Sequence, residues 1–168
     1  MASKDQILKF LNPKELLEKL GVEQGMNIAD FGTGSGYMSF AAAAHVGFTR
    51  GIVYALDIQK PVIEHLESEI QTRNIPNIKP IWTNLEMTGK NKIREHSIDR
   101  VLIVNMLFQT TKYQLILEEA LRELKPGGKI LIVDWIKQST PFGPPVDDRV
   151  NLEKIKQMAY AMELNKIQ

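Results

Sequence analysis

The chain has 168 residues, 43% of them hydrophobic, and a net charge of +1, which suits a single soluble domain with a sizeable core. It has no cysteine, which excludes disulfides and thiolate metal sites, and His45, His65 and His96 show no ligand spacing, so no structural metal is expected. The near-neutral balance gives no sign of a phosphate-tracking surface, and no apolar run approaches the ~20 residues needed to span a bilayer.

The amino terminus, MASKDQILKF, lacks the apolar centre of a secretory signal, so the cytoplasm is the expected compartment. Ser3 with Gln6 and Asn12 with Glu15 have capping-box spacing, and Pro13 suits a first helical position. Two short helices are therefore predicted within residues 1–25, the second stopping near Gly21. A cofactor-binding core is expected over 26–135. Its first strand runs from about Met26 to Phe31, and after a glycine turn the small side chains of Phe40 to Val46 let a helix pack closely on the sheet. Strand two follows at Ile52 to Asp57. Pro61 opens a helix with Val62, Ile63, Leu66 and Ile70 on one face, and Ile78 to Trp82 reads as strand three. Lys90, Lys92 and Arg94 form the densest basic run, but Glu86 and Glu95 lie beside it, as in a solvated loop. Strand four lies within Asp99 to Leu107, and Tyr113 to Leu124 makes an amphipathic helix ended by Pro126 and Gly127. Strand five spans Lys129 to Trp135. A turn-rich loop and a helix from about Val150 to Leu164 fill the segment 136–168.

Alternating helices and strands predict an α/β fold with a Rossmann-like, doubly wound parallel sheet. Right-handed crossovers give the strand order 3-2-1-4-5 and place a ligand over strands one and four, where the order reverses.

The segment IADFGTGSGY, Ile28 to Tyr37, joins a strand to a helix through Gly32, Gly34 and Gly36. A dinucleotide fingerprint, G-x-G-x-x-G, would need glycine where Tyr37 stands, and no G-x-x-x-x-G-K-[ST] phosphate loop occurs. GIVYALDI, Gly51 to Ile58, ends in an acid able to accept hydrogen bonds from both hydroxyls of a ribose. DRVLIVNML carries Asn105 near a strand end, and LKPGGKILIVDW couples a helix end, a turn and a strand. In this order the four segments resemble the motifs of class I S-adenosylmethionine-dependent methyltransferases, over about Asn12 to Arg149.

That resemblance implies S-adenosylmethionine as cofactor, with S-adenosylhomocysteine as product. Its site would be formed by Asp30, Phe31, Gly32, Thr33, Gly34, Gly36 and Tyr37 at the glycine turn. Asp30 would orient the loop or the methionine ammonium, and Asp57 would hold the ribose. Ile58 and Leu85 would flank the adenine, Asn84 would bond its amino group, and Asn105 and Met106 would face the methionine arm and the acceptor. Structural roles stand beside these: strand-end caps for Asp30 and Asp57, a turn former at Asn84, and backbone satisfaction by Asn105. No catalytic residue is assigned. Asp134, or a histidine brought in by folding, is a candidate base if the acceptor needs one, and His45 reads as a packed or partly exposed side chain.

The sequence departs from this family where an antiparallel strand pair normally follows the last helix. Strand five is therefore expected to form an exposed edge able to pair with another chain: either the sequence is truncated relative to its relatives or a second copy covers that edge. Trp135 to Arg149, W-x-x-x-x-x-P-F-G-P-P-x-x-x-R, looks like the loop after strand five in the ubiquinone and menaquinone C-methyltransferase group, which implies a small-molecule acceptor. GTGSGY with GxVYALD also looks like the opening of protein isoaspartate and some transfer-RNA methyltransferases. An RNA or protein acceptor, or a catalytically silent assembly module, thus remains open.

Overall fold

The computed structural model describes residues 11–164, and within them five strands form one parallel sheet. In chain order the elements are α1 (Pro13–Leu20), β1 (Ile28–Phe31), α2 (Tyr37–Val46), β2 (Val53–Asp57), α3 (Lys60–Thr72), β3 (Ile78–Trp82) and β4 (Ile98–Val104). A 3-10 turn (Leu107–Gln109), α4 (Tyr113–Glu123), β5 (Leu124–Val133), a second 3-10 turn (Val146–Asp148) and α5 (Leu152–Ala161) complete them. The strand order is β3-β2-β1-β4-β5, as expected. The helix predicted near Ser3 lies outside the described residues.

Strands buried on both faces read as continuous apolar runs, and all four residues of β1 are buried. Alternation assigns their side chains to two cores. Ala29, Phe31, Val101 and Ile103 meet Ile116, Leu117 and Ala120 of α4 on one face. Ile28, Val53, Ala55 and Leu102 meet Leu17 of α1, Ala42 and Ala43 of α2, and Leu66 of α3 on the other. Asn12 caps α1 through the Glu15 amide, and Gly21 closes it in the left-handed conformation.

Three boundaries differ from expectation. β4 stops at Val104 because Asn105 adopts a left-handed φ of 52° and turns the chain. The last turn of α4 ends at Glu123, before Pro126, and Leu124 is already extended and paired with Ile98. Pairing resumes at Lys129 opposite Arg100, so the Pro-Gly-Gly segment is a bulge within β5 rather than a turn before it.

The loop from β3 to β4 is pinned to α4 by buried charge. Arg122 donates to both oxygens of Glu119 at 2.9 and 2.8 Å and to the Ile93 carbonyl at 2.9 Å, while Glu119 also accepts the Gly89 amide at 2.9 Å. Asn91 donates to Glu123. Lys90, Lys92 and Arg94 of this loop are exposed. Burial works to raise the Glu119 carboxyl, but the Arg122 guanidinium outweighs it and holds the group below its ordinary range. At Glu123 burial wins over Asn91 and Arg122, and its pKa rises to about 7.

A raised folded-state value means that the native protein binds the extra proton between an unfolded pKa near 4.5 and a folded pKa of about 7. The Glu123 contribution to stability is therefore greatest below that window and is lost as pH rises through it. Urea unfolding at about pH 5 and about pH 8 is expected to show a loss on the order of 1–3 kcal/mol, and Glu123→Gln is expected to flatten that dependence.

Candidate functional site

All five carboxyl ends open on one side, and the order reverses between β1 and β4. The glycine turn fills this switch point. Gly32, Gly34 and Gly36 have φ of 75°, 53° and 78°, values that L side chains rarely adopt. A Cβ on Gly32 would also meet Met106 Cγ at 2.5 Å, so the glycine lets the turns after β1 and β4 touch.

Two acids organise this turn. Asp57 Oδ2 accepts the Gly34 amide at 3.1 Å and Oδ1 accepts the Gln59 amide at 2.9 Å, joining the ends of β1 and β2. Asp30 lies beneath, 2% exposed, where its Oδ2 accepts the Ser39 hydroxyl at 2.6 Å. Thr33 and Ser39 hydroxyls are 2.9 Å apart, which extends the chain of bonds up to the glycines. Burial, only partly offset by the Ser39 and Thr33 hydrogen bonds, raises Asp30 to about 6.

A crevice of about 190 Å³ opens above the turn. Of the residues predicted for the site, Gly32, Asp57, Ile58, Asn84, Leu85 and Met106 line it. Ile58 is 59% exposed, an aliphatic side chain standing in solvent at the crevice wall, and Leu85 is buried. Asn84 Oδ1 accepts the Glu86 amide at 2.9 Å, so this side chain also forms a turn. The other predicted residues do not line the crevice. Phe31 is fully buried in the core, Thr33 is buried under the loop, and Gly36 packs on Leu66 and Phe40. Tyr37 begins α2 and donates its hydroxyl to the Leu11 carbonyl at 3.0 Å. Asn105 turns the chain, and its carbonyl accepts the Gln109 side-chain amide at 3.1 Å.

Gln59, Thr83, Glu86, Gln109, Thr110 and Ile116 also line the crevice and were not predicted. Thr83 and Glu86 flank Asn84 and Leu85, so adjacency was the signal for them. Gln109 and Thr110 enter the crevice wall because the chain turns at Asn105, which strand periodicity does not reveal.

Asp134, the candidate base, has another role. Its Oδ2 accepts the amides of Met106, Leu107 and Phe108 at 3.0, 2.7 and 3.4 Å, and Oδ1 accepts the Trp135 amide at 2.7 Å. It clamps the turn that carries Met106 and Gln109. Burial raises its pKa, with the backbone amides pulling it back. His45 is a packed side chain, its ring nitrogen 3.1 Å from the Val22 carbonyl.

A second cavity of about 590 Å³ shares Glu86, Gln109 and Thr110 with the crevice. Glu86 accepts from the Thr110 hydroxyl at 2.6 Å and from Lys112 at 2.9 Å, which together hold its carboxyl below the ordinary range. The far wall is the segment after β5, organised by Arg149, which is only 4% exposed. Its guanidinium donates to the carbonyls of Pro144 at 2.9 Å, Phe142 at 3.2 Å and Gln138, and lies 5.3 Å from the Trp135 ring centre. Phe142 meets the same ring edge-on at 5.9 Å.

Residues 22–163 match the model of a family described as a methyltransferase domain. The demethylmenaquinone methyltransferase of Geobacillus sp. (strain WCH70) is 27% identical over 72% of this chain and 50% of its own length. The ubiquinone/menaquinone biosynthesis C-methyltransferase of Francisella tularensis subsp. novicida is 25% identical over 84% of this chain and 56% of its own. The chain thus spans about half the length of the curated relatives it matches. Among solved structures, a SAM-dependent methyltransferase from Aquifex aeolicus superposes with a TM-score of 0.83 at 22% identity, covering 92% of this chain and 80% of that one.

Asp134→Ala leaves backbone amides of the β4 turn without their acceptor. The expected cost is about 1–3 kcal/mol of stability, read by urea unfolding, together with faster hydrogen exchange at Met106, Leu107 and Phe108. Unchanged exchange at those amides would sink the clamp assignment.

Proposed function

The chain belongs to the S-adenosylmethionine-dependent methyltransferase-domain family, and from that membership we propose that it moves a methyl group from S-adenosylmethionine to a small-molecule acceptor, as a single cytoplasmic domain. The observation that carries this reading is the pairing, at the end of β2, of a carboxylate and an exposed aliphatic side chain, Asp57 and Ile58, beside the glycine turn.

The residues present suit that cofactor. Each Asp57 oxygen holds one amide and keeps lone-pair capacity for a ribose hydroxyl. Ile58 and Leu85 offer apolar faces for the adenine, and Asn84 Oδ1 retains an acceptor site for its amino group. Gly32, Gly34 and Gly36 let backbone approach the ligand, with Asp30 and Thr33 supporting the loop from below and Phe31 and Tyr37 fixing its two ends. Asn105 and Met106 face the methionine arm in this reading.

When bound, S-adenosylmethionine would supply a methyl group on a sulfonium, ready to be taken up by an acceptor lone pair, with Asp57, Ile58, Asn84 and Leu85 holding its nucleoside end. The chain's own task is alignment and exclusion of water, and positioning alone is worth about 7–11 kcal/mol of barrier in favourable cases. No residue is assigned as base, because Asp134 is committed to backbone amides. The edge of β5 carries Ile130, Leu131, Ile132 and Val133, all half-buried, and we assign it to pairing with a second copy. Nucleic acid is not part of the proposal.

Titration calorimetry with S-adenosylmethionine and S-adenosylhomocysteine tests the reading. Micromolar binding, about −8 kcal/mol, is expected for the intact chain, weakened at least tenfold in Asp57→Ala. Absence of binding by the intact chain would overturn it.

A further inference from the structure

The larger cavity adjoins the crevice through a shared wall, Glu86, Gln109 and Thr110, so a molecule seated there would lie next to a ligand in the crevice. Its walls carry many polar groups. Of its lining residues only Phe108 lacks a polar group in its side chain. Several of the charges are already engaged: Lys112 pairs with Glu86, and Arg149 holds three loop carbonyls.

Four ionised groups are left over. Lys137, Asp147, Asp148 and Lys154 line the cavity, and none of them forms an ion pair among the described residues. Lys154 Nζ lies 5.7 Å from the ring centre of Tyr113, which is 8% exposed and also lines the cavity. Two cations and two anions, all four exposed, thus line one space without pairing with one another. An apolar guest seated against them would strip water from these groups and return no partner. A guest with charges of both signs would pair with both sets.

Resting on the methyltransferase reading above, we propose that this cavity is the acceptor site and that its acceptor is a small zwitterion, carrying an acidic group and an ammonium group, rather than a quinone. Lys137 and Lys154 hold the acid, Asp147 and Asp148 hold the ammonium, and Tyr113 and Phe108 form the wall between them. The Arg149-bound loop presents Asp147 and Asp148 on a fixed frame, so recognition requires little ordering of backbone.

The test uses the ¹⁵N-labelled full chain saturated with S-adenosylhomocysteine and follows amide shifts on titration with O-phosphoethanolamine, inorganic phosphate or menadione. The zwitterion is expected to move the resonances of Lys137, Asp147, Asp148, Asn151 and Lys154 saturably, phosphate to move them less, and menadione to leave them in place. A Lys137→Ala, Lys154→Ala double variant is expected to weaken the zwitterion response at least tenfold with an unchanged affinity for S-adenosylhomocysteine, since neither lysine lines the crevice. Equal responses to phosphate and zwitterion, a response to menadione alone, no response to any probe, or an undiminished response in the double variant would each overturn the assignment while the cofactor reading stands. Failure of S-adenosylhomocysteine to bind overturns both.

Discussion

A sheet whose strands all run parallel gathers every carboxyl end on one side, and each return to the other side requires a crossover that covers a face. That constraint governs this molecule. Both faces of β1 are buried by it, so the chain leaving β1 can go only upward, into the space over the carboxyl ends of β1 and β4, where the order reverses. The glycine turn, the end of β2 and the turn after β4 therefore meet because β1 is paired with β2 on one side and with β4 on the other. Closeness is then limited by side-chain bulk, which is why Gly32 stands against Met106.

Acids at strand ends convert this meeting into a fixed shape. Asp57 and Asp134 both use carboxylate oxygens to gather amides from neighbouring turns, and Asp30 does the same through the hydroxyls of Ser39 and Thr33. A carboxylate accepting several backbone amides replaces water at groups that helices and strands leave unsatisfied. The loop from β3 is fixed differently, through a charged cluster on α4 that lies away from the crevice but anchors the stretch beginning at Thr83.

Much of this was legible in the sequence because period and punctuation are local signals. The apolar runs at β1, β2 and β4, the alanines of α2, and Asn12 with Pro13 all mark their elements, and the glycine turn with Asp57 locates the crevice. What the sequence hid depends on partners far along the chain. Asn105 continues an apolar run and looks like strand until its φ of 52° is seen. The bulge at Pro126–Gly128 looks like a turn because the pairing of Leu124 with Ile98 is a tertiary fact. Asp134 looks like a free acid at a strand end, yet its partners lie 26 to 28 residues earlier. Gln109 and Thr110 had no motif at all, since they reach the crevice only through the turn at Asn105.

Arg149 closes the segment after β5 by binding carbonyl groups, and carbonyls are common to every residue type. The ring it makes thus depends on side chains at few positions, among them Trp135, Phe142, Thr140 and Gly143, where a Cβ would strike Trp135 at 2.8 Å. The fold thereby separates the contacts that hold the segment's shape from the side chains the segment displays, so that the two can vary independently.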